Sequence, residues 1–310
     1  MTRPLVSIVL VTRDGMRDLA EILDRIEAQE VDFPLETIAV DSGSRDGSAE
    51  LLRARVDHYI EIAPEQFNHG ETRNLGIEKS RGEFVVLLVQ DAVPANDHWL
   101  AELVAPLRDD PLAAASYARQ LARPDSRAIT HHYLAQWLSS SDQPRTSEIP
   151  DRKTFEALSP MERFHICVFD NVCSCVRRSV WENQRFPRTP IAEDLSWALD
   201  ALLAGHRILY TPGAAVVHSH DRSLRYEYKR SVGVHERLFE LFGIRTIPTV
   251  AALARAVATS LALHLRCLAR GPRGAESAVL EFARSLGLAV VWPLAQYVGG
   301  VRAARHRVDA

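Results

Sequence analysis

Apolar runs and helical spacings alternate along the first ninety residues. Residues 5–11, LVSIVLV, are continuously apolar, whereas residues 17–29 place leucine and isoleucine at helical intervals. The alternation predicts strands at 5–11, 35–41, 58–63 and 83–90 and helices at 17–29, 48–56 and 72–80. We expect Ser44 or Asp46 to cap the second helix. Such βαβ alternation predicts an α/β fold with a mostly parallel sheet flanked by helices.

The middle of the chain, residues 115–180, is less regular. Within it, the polar segment SSSDQPRTSEIPDRK (139–153) is typical of a mobile loop. Regular patterning returns with a predicted helix at 192–206, closed by Gly205. Two short strands around Pro212-Gly213 (207–220) and a helix over 222–242 are predicted to follow.

The last part of the chain, residues 245–310, has a different composition. It contains nine arginines against three acidic residues, a net charge of +6, and helix candidates at 249–269 and 277–298. Arg284, Pro293 and Gln296 interrupt the apolar run of the second candidate, so a surface-lying helix on anionic lipid is favoured over a bilayer span. The alternative is that these helices pack on the preceding domain or form a dimer contact. We therefore predict a domain over 1–244 and a basic helical region over 245–310.

The amino-acid composition excludes few classes of protein. The 310 residues are 46% hydrophobic and 25% charged, with a net charge of -3, which is typical of a soluble globular protein. The four cysteines form no CxxC pair, which indicates reduced thiols in the cytosol rather than zinc ligands. Arg13 and Asp14 interrupt the first apolar run, so we interpret it as a strand and expect no export.

Polar residues follow the predicted strands directly. Thr12 and Arg13 end the first strand, Asp41 and Ser42 end the second, and Asp91 follows the long strand at 83–90. Ligands of open parallel sheets bind at these carboxyl ends, and carboxylates there suit a hard divalent cation. The chain has neither GxxxxGK[ST] nor a GxGxxG after its first strand, which argues against a P-loop nucleotidase or a dinucleotide enzyme.

Five segments occur in an order that resembles glycosyltransferase family 2, the inverting GT-A enzymes. They are SIVLVTRDG, AVDSGSRDGS, FNHGETRNLG, VVLLVQDAVPANDHWL and AEDLSWALDALLAGHRILYTPGAAVVHSH. FNHG..RN followed by QDA.P is similar to the rhamnosyltransferase-like branch. The resemblance covers about residues 5–240 and implies a GT-A fold. The basic helical region, residues 245–310, is not covered by the resemblance.

The resemblance implies a donor site and a metal site. Asp41 corresponds to the carboxylate that accepts a hydrogen bond from the nucleotide base. The implied nucleotide-sugar site consists of Thr12, Arg13, Asp41, Ser42, Arg73 and Gln90, and the implied metal site of Asp91, His218 and His220. Asp91 lies in a Gln-Asp-Ala triplet where many relatives have two carboxylates. His218 and His220 are two residues apart on a predicted strand and so point to one face. The expected cofactor is Mg²⁺ or Mn²⁺.

Glu193-Asp194 matches the family's ED motif, in which Asp194 would be the general base. An inverting transfer needs a carboxylate that takes a proton from the acceptor hydroxyl while the nucleoside diphosphate departs. Arg73 would stabilise charge on that diphosphate. Each residue has a structural alternative, because Asp194 also suits a helix N-terminus, Asp41 a turn, and Arg73 a solvated helix face.

These features predict an inverting hexosyltransferase of cell-surface polysaccharide synthesis. The branch similarity favours dTDP-L-rhamnose as donor, and the acceptor would be a glycan or a lipid-linked glycan. We expect a cytoplasmic enzyme, peripheral at the inner face of the cytoplasmic membrane, with no nucleic acid partner and with homo-oligomer formation left open. The alternatives are a non-catalytic nucleotide-sugar-binding protein and a nucleotidyltransferase, although TRDGMRD offers only one glycine to hold a triphosphate.

Overall fold

The computed structural model of the chain describes residues 4–220, 222–270 and 278–308. Two units are formed by these residues. The sheet unit comprises residues 4–121, 138–157 and 166–218, and the helical unit comprises residues 122–137, 158–165 and the described residues from 219 onward. The predicted boundary at residue 244 differs from this division and stays a prediction. Arg273, Glu276 and Asp309, which the predicted tail charge includes, lie outside the described residues.

All strands of the described residues belong to the sheet unit. They are β1 (Val6–Thr12), β2 (Leu35–Asp41), β3 (His58–Glu61), β4 (Phe84–Val89), β5 (Val93–Pro94), β6 (Ala113–Leu121), β7 (Arg145–Ser147), β8 (Cys173–Arg177) and β9 (Arg207–Val217). The helices in chain order are α1 (Met16–Glu27), α2 (Ser48–Arg55), α3 (His69–Lys79), α4 (Trp99–Asp109), α5 (Ala128–Ala135), α6 (Arg152–Ala157), α7 (Pro160–Ile166), α8 (Arg178–Asn183), α9 (Glu193–Leu203), α10 (Leu224–Phe242), α11 (Val250–Arg270) and α12 (Ala278–Val308).

The strands form one sheet in the order β3-β2-β1-β4-β8-β6-β9-β5, with β7 paired to β9. Strands β1 to β4 pair in parallel, β8 is antiparallel to both β4 and β6, and β6 is parallel to β9. Six of the nine strands therefore run in one direction, whereas β5, β7 and β8 oppose them. The predicted α/β fold with a mostly parallel sheet is confirmed.

The core of the sheet unit follows from the apolar pattern of the first βαβ repeat. Ile8 and Leu10 of β1 pack in one cluster with Leu19 and Ile22 of α1, and all four are fully buried. Burial of one such side chain contributes about 1.5–3 kcal/mol. The three tryptophans Trp99, Trp181 and Trp197 are also buried.

Local capping sets the helix starts near the strand ends. Gly47, in the left-handed conformation at φ 95°, is the N-terminal cap of α2 rather than Ser44. The Asp46 carboxylate accepts from the backbone N–H of Met16 (2.9 Å) and of Ser48 (3.1 Å), the first residues of α1 and α2. Asp46 therefore stabilises two helix starts. Burial acts to raise the pKa of Asp46, but the hydrogen bonds from the Ser48 hydroxyl and from these two backbone groups together lower it.

Two predictions for the second half of the sheet unit were wrong. The segment predicted to be irregular contains β6, β7 and β8, and β7 lies inside the predicted loop at 139–153. The two short strands expected around Pro212-Gly213 are one strand, β9, which ends at Val217, so His218 and His220 lie beyond it rather than on a strand. Its register with β6 moves from Ala118↔Thr211 to Arg119↔Ala215, so a bulge accommodates the Pro-Gly pair.

The helical unit is built mainly from α10, α11 and α12. Helix α12 packs against α10 and α11, and it continues through Pro293 to Val308, ten residues beyond the predicted end. Segments Val250–Ala269 and Ala278–His306 are long and apolar enough to cross a membrane by length and composition. In the most apolar 18-residue stretch of each segment, only 11% and 33% of the stretch is buried.

Candidate active site

The carboxyl ends of β1 and β2 form the predicted nucleotide pocket. Thr12 and Asp41 are paired in register, and together with Ser42 they are at most 1% exposed. Both the backbone N–H and the hydroxyl of Ser42 donate to the Thr12 carbonyl, at 2.9 and 3.1 Å. The Thr12 hydroxyl oxygen is buried without a hydrogen-bond partner among the described residues. An orphaned buried hydroxyl has a free-energy cost, and a polar ligand would satisfy it.

Asp41 is held in place by its own turn. Its carboxylate accepts from the Ser44 N–H (3.0 Å), from the Ser44 hydroxyl and from the Tyr59 hydroxyl (3.3 Å). Burial, followed by the negative charges of Asp41 and Glu61, raises the pKa of Tyr59 to about 12, so Tyr59 stays a donor. Asp41 therefore stabilises its turn, as the structural alternative predicts. The same hydrogen bonds fix the orientation of its carboxylate, which suits recognition of a nucleotide base.

Gln90 and Arg13 join the ends of β4 and β1. The Gln90 side-chain N–H donates to the Arg13 carbonyl at 2.7 Å, and the Arg13 backbone N–H donates to the Gln90 side-chain oxygen. The Arg13 side chain is exposed. Gln90 therefore shapes the loop after β1, while the Arg13 guanidinium is available to a ligand.

The three predicted metal ligands come together. Asp91 Oδ1 lies 3.7 Å from His218 Nε2, and both residues belong to the sheet unit. His220 follows His218 by two residues, and one potential ligand atom from each of the three residues lies within 4.8 Å of the others. His218 is 6% exposed, whereas Asp91 is partly buried. One carboxylate oxygen and two imidazole nitrogens at this spacing fit a divalent cation.

Behind His218 lie two residues that sequence reasoning missed, Gln120 and Asp170. The Gln120 side chain oxygen lies 2.9 Å from His218 Nδ1, and its N–H group donates to Asp170. Asp170 and Asn171 directly follow the apolar run CVF, the same signal that marked Asp41 and Asp91. Gln120 is the last residue but one of β6, so it also lies at the carboxyl end of a strand, but of a strand that the sequence did not predict.

The predicted base, Asp194, lies in the first turn of α9. Ala192, just before this helix, has φ 57°, an uncommon conformation for a side chain other than glycine. Asp194 accepts from the backbone N–H of Asn171 at 3.3 Å and of Leu195 at 2.7 Å. Burial, followed by the charges of Glu193 and Asp170, raises the pKa of Asp194 to about 8. A carboxylate with such a pKa is suited to accept a proton near neutral pH.

Arg73 is placed away from solvent, beside Glu193. Its guanidinium lies 2.9 Å from Glu193 Oε1, and both side chains are 6% exposed. It also donates to the carbonyl oxygens of His69 (3.0 Å) and Asn171 (3.3 Å). The geometry gives Arg73 a partner other than a diphosphate and rules out the solvated-face alternative.

The cysteines of the sheet unit lie in the core. Cys173 and Cys175 are at most 2% exposed, and burial raises the pKa of both thiols far above the ordinary value. Trp99 donates its indole N–H to Cys173 at 3.2 Å. Both thiols are therefore held in the protonated form and pack in the core.

Known proteins are similar to most of this chain. Residues 7–183 match glycosyl transferase family 2. The chain is 30% identical over 231 residues to the O-antigen chain rhamnosyltransferase RfbN of Salmonella typhimurium, covering 73% of this chain and 69% of the relative. It is 32% identical over 200 residues to the O-antigen chain rhamnosyltransferase WbaN of Salmonella anatum, covering 64% and 60%.

A solved structure shares the fold. The mannosyltransferase PcManGT from Pyrobaculum calidifontis, in complex with GDP-Man and Mn²⁺, aligns with a TM-score of 0.59 at 19% identity, covering 99% of this chain and 89% of that chain. At that identity the similarity concerns the fold.

Proposed function

This chain belongs to glycosyltransferase family 2, and from that membership we propose that it transfers L-rhamnose from dTDP-L-rhamnose to a glycan acceptor with inversion. Within the family, the similarity to two O-antigen chain rhamnosyltransferases supports this choice of donor and places the enzyme in polysaccharide synthesis. The observation that carries the proposal is the group of Asp91, His218 and His220 at the end of the sheet. The acidic pair Glu193-Asp194, of which Glu193 is buried, belongs to the same unit as Asp91 and His218.

We assign donor binding to the ends of β1, β2 and β4. The Thr12 hydroxyl and the Asp41 carboxylate would contact the nucleoside, with Ser42 holding the pocket through its two bonds to Thr12. The exposed Arg13 side chain would contact the diphosphate, and Gln90 would keep the loop that carries it in position. This assignment transfers the diphosphate contact expected of Arg73 to Arg13, because the Arg73 guanidinium is paired with Glu193.

We propose that Asp91, His218 and His220 hold the divalent cation, which when bound supplies positive charge to the diphosphate leaving group. The cation is Mn²⁺ in preference to Mg²⁺, because two of the three ligands are imidazoles. Mg²⁺ is usually bound by carboxylates, phosphates and waters.

The chemical step assigned to the chain is a proton transfer to Asp194. Its carboxylate takes the proton of the acceptor hydroxyl as the new bond from that oxygen to the anomeric carbon forms and the bond from this carbon to the diphosphate breaks. Glu193, fixed by Arg73 and Asn171, keeps a negative charge beside Asp194 and so favours the proton-accepting step.

We also propose that the enzyme works in the cytoplasm, bound peripherally to an anionic membrane surface through the helical unit. Thirteen large apolar side chains are exposed among the described residues, and eleven of them are in the helical unit. Val279, Leu280 and Phe282 at the start of α12 are 77%, 61% and 48% exposed. A surface of this kind, together with the basic residues of the tail, suits a lipid-linked acceptor.

The test is release of nucleoside diphosphate from dTDP-L-rhamnose, GDP-mannose, UDP-glucose and UDP-N-acetylglucosamine, with Mn²⁺ or Mg²⁺ and a panel of glycan acceptors. We expect dTDP release that depends on metal and acceptor and that Asp91→Ala abolishes. Tight dTDP binding without turnover would instead support the non-catalytic alternative. Pyrophosphate release from a nucleoside triphosphate and a sugar phosphate would identify a nucleotidyltransferase.

A further inference from the structure

Gln120 is a polar residue that is buried near the carboxyl end of its strand. It lies on β6, is 6% exposed, and uses the two ends of its side-chain amide on two different partners. The N–H end donates to Asp170 Oδ2, and the oxygen end lies 2.9 Å from His218 Nδ1. Asp170 is itself held by the Val172 N–H (3.0 Å) and the Ser139 hydroxyl (3.4 Å).

Asp170, Gln120 and His218 are linked by two hydrogen bonds, and the chemistry of Asp170 decides which group donates in each of them. Both carboxylate oxygens of Asp170 accept hydrogen bonds, one from the Val172 N–H and the other from the Ser139 hydroxyl, so Asp170 is an acceptor and the group that Gln120 presents to it is the NH₂. The amide oxygen then faces His218, and an oxygen without a proton can only accept. The proton of this contact must therefore be carried by His218 Nδ1.

A neutral imidazole has one ring proton, so a proton on Nδ1 leaves a lone pair on Nε2. His218 Nε2 is the atom that lies 3.7 Å from Asp91 Oδ1. A metal ligand must offer a lone pair, and the partner of the other ring nitrogen decides which atom can offer it.

We propose that Gln120 and Asp170 are positioning residues that fix the Nδ1–H tautomer of His218 and so direct its Nε2 lone pair toward the Asp91 side of the site. The inference rests on the proposed function only for the identity of the ligand, a divalent cation. The tautomer itself is a property of the protein without metal or nucleotide.

The first experiment measures that tautomer directly. Protein labelled with ¹⁵N in histidine, free of metal and kept at a pH above the ordinary histidine pKa, gives ring-nitrogen NMR signals that distinguish N–H from unprotonated nitrogen. His218→Gln identifies the His218 signals among those of the twelve histidines. We expect Nδ1–H in the wild type. We expect Gln120→Met to shift the ring toward Nε2–H, because Asp91 then competes for the proton. Nε2–H in the wild type, or no change in Gln120→Met, would overturn the proposal.

The second experiment measures Mn²⁺ binding by electron paramagnetic resonance, with and without dTDP. We expect Gln120→Met and Asp170→Asn each to weaken Mn²⁺ binding by about 10–100-fold, the usual cost of losing such a partner. Asp170→Asn keeps the size of the side chain and serves as the readout if Gln120→Met does not fold.

The matched control is Gln29→Met. Gln29 is also buried, and its side chain bonds to Arg25 O (3.0 Å), Asn96 O (2.9 Å) and Leu100 N (2.8 Å), none of which belongs to a proposed metal ligand. We expect it to lower stability without changing Mn²⁺ affinity, and equal Mn²⁺ loss in the control would mean that Gln120 is merely structural. Failure of every sugar nucleotide to react would contradict the proposed function while leaving the tautomer result intact.

Discussion

The two units of the chain differ in how many of their large apolar side chains are exposed. Among the described residues, the sheet unit exposes only Met16 and Leu112 of its large apolar side chains, whereas the helical unit exposes eleven. The sheet unit buries its charges instead, as in the ion pair of Arg73 with Glu193. A region that buries both its apolar surface and its paired charges is complete by itself, whereas a region with a large exposed apolar surface is suited to contact something else.

The sharpest test of the sheet unit is Asp194→Asn. The substitution keeps the shape of the side chain but removes the proton acceptor, so we expect kcat to fall by about 10²–10⁴-fold. Affinity for dTDP should stay nearly unchanged, which calorimetry with the purified variant can verify. Turnover close to that of the wild type would remove Asp194 from the mechanism.

Breaking the buried ion pair should cost stability in the same unit. Arg73→Met leaves the Glu193 carboxylate buried without its partner, and we expect a loss of about 3–5 kcal/mol in the free energy of unfolding, measured by urea denaturation. The control is Arg188→Met, which breaks the exposed pair of Arg188 and Glu71 (3.0 Å) and should cost less than about 1 kcal/mol. Equal losses would mean that burial does not distinguish the two pairs.

The helical unit should respond to loss of apolar surface rather than of charge pairs. We expect the double variant Leu280→Ser and Phe282→Ser to bind vesicles of phosphatidylglycerol and phosphatidylcholine at least about tenfold more weakly, since each side chain contributes on the order of 1 kcal/mol. Leu112→Ser, a change of an exposed leucine in the sheet unit, should leave binding unchanged. If the double variant binds vesicles as the wild type does but changes its oligomeric state, the exposed surface is a contact between copies.

The smallest expected effect is a shift in the midpoint of the pH dependence of transfer. Because the pKa of Asp194 is raised to about 8, its carboxyl group is protonated below that pH and cannot act as a base. The rate should rise about tenfold per pH unit on the acidic side and level off above about pH 8. Asp170→Asn removes one of the charges that raise this pKa, so the midpoint should move to lower pH. An unshifted midpoint in that variant would show that Asp170 does not act on the base.

The sequence predicted the parallel half of the sheet closely, because strands buried on both faces are continuous apolar runs. The predicted strand at 35–41 coincides with β2, and the helix at 72–80 differs from α3 mainly in starting three residues later. The three residues that the prediction left out of α3 follow Asn68, a residue type that favours the start of a helix. Its side chain accepts from the N–H groups of Gly70 and Glu71. The second half was harder, because β6 is rich in alanine and its strand character depends on pairing with β8 and β9.

The sequence by itself determined the fold class, the family and the identity of the polar residues at the strand ends, because each of these is written in local patterns and their order. Only the tertiary structure decided which of those side chains meet. It paired Arg73 with Glu193 across 120 residues and placed Gln120 between His218 and Asp170, 98 and 50 residues away. The physical reason is that a buried polar group must find a partner wherever the fold brings one, and spacing along the chain does not specify that partner.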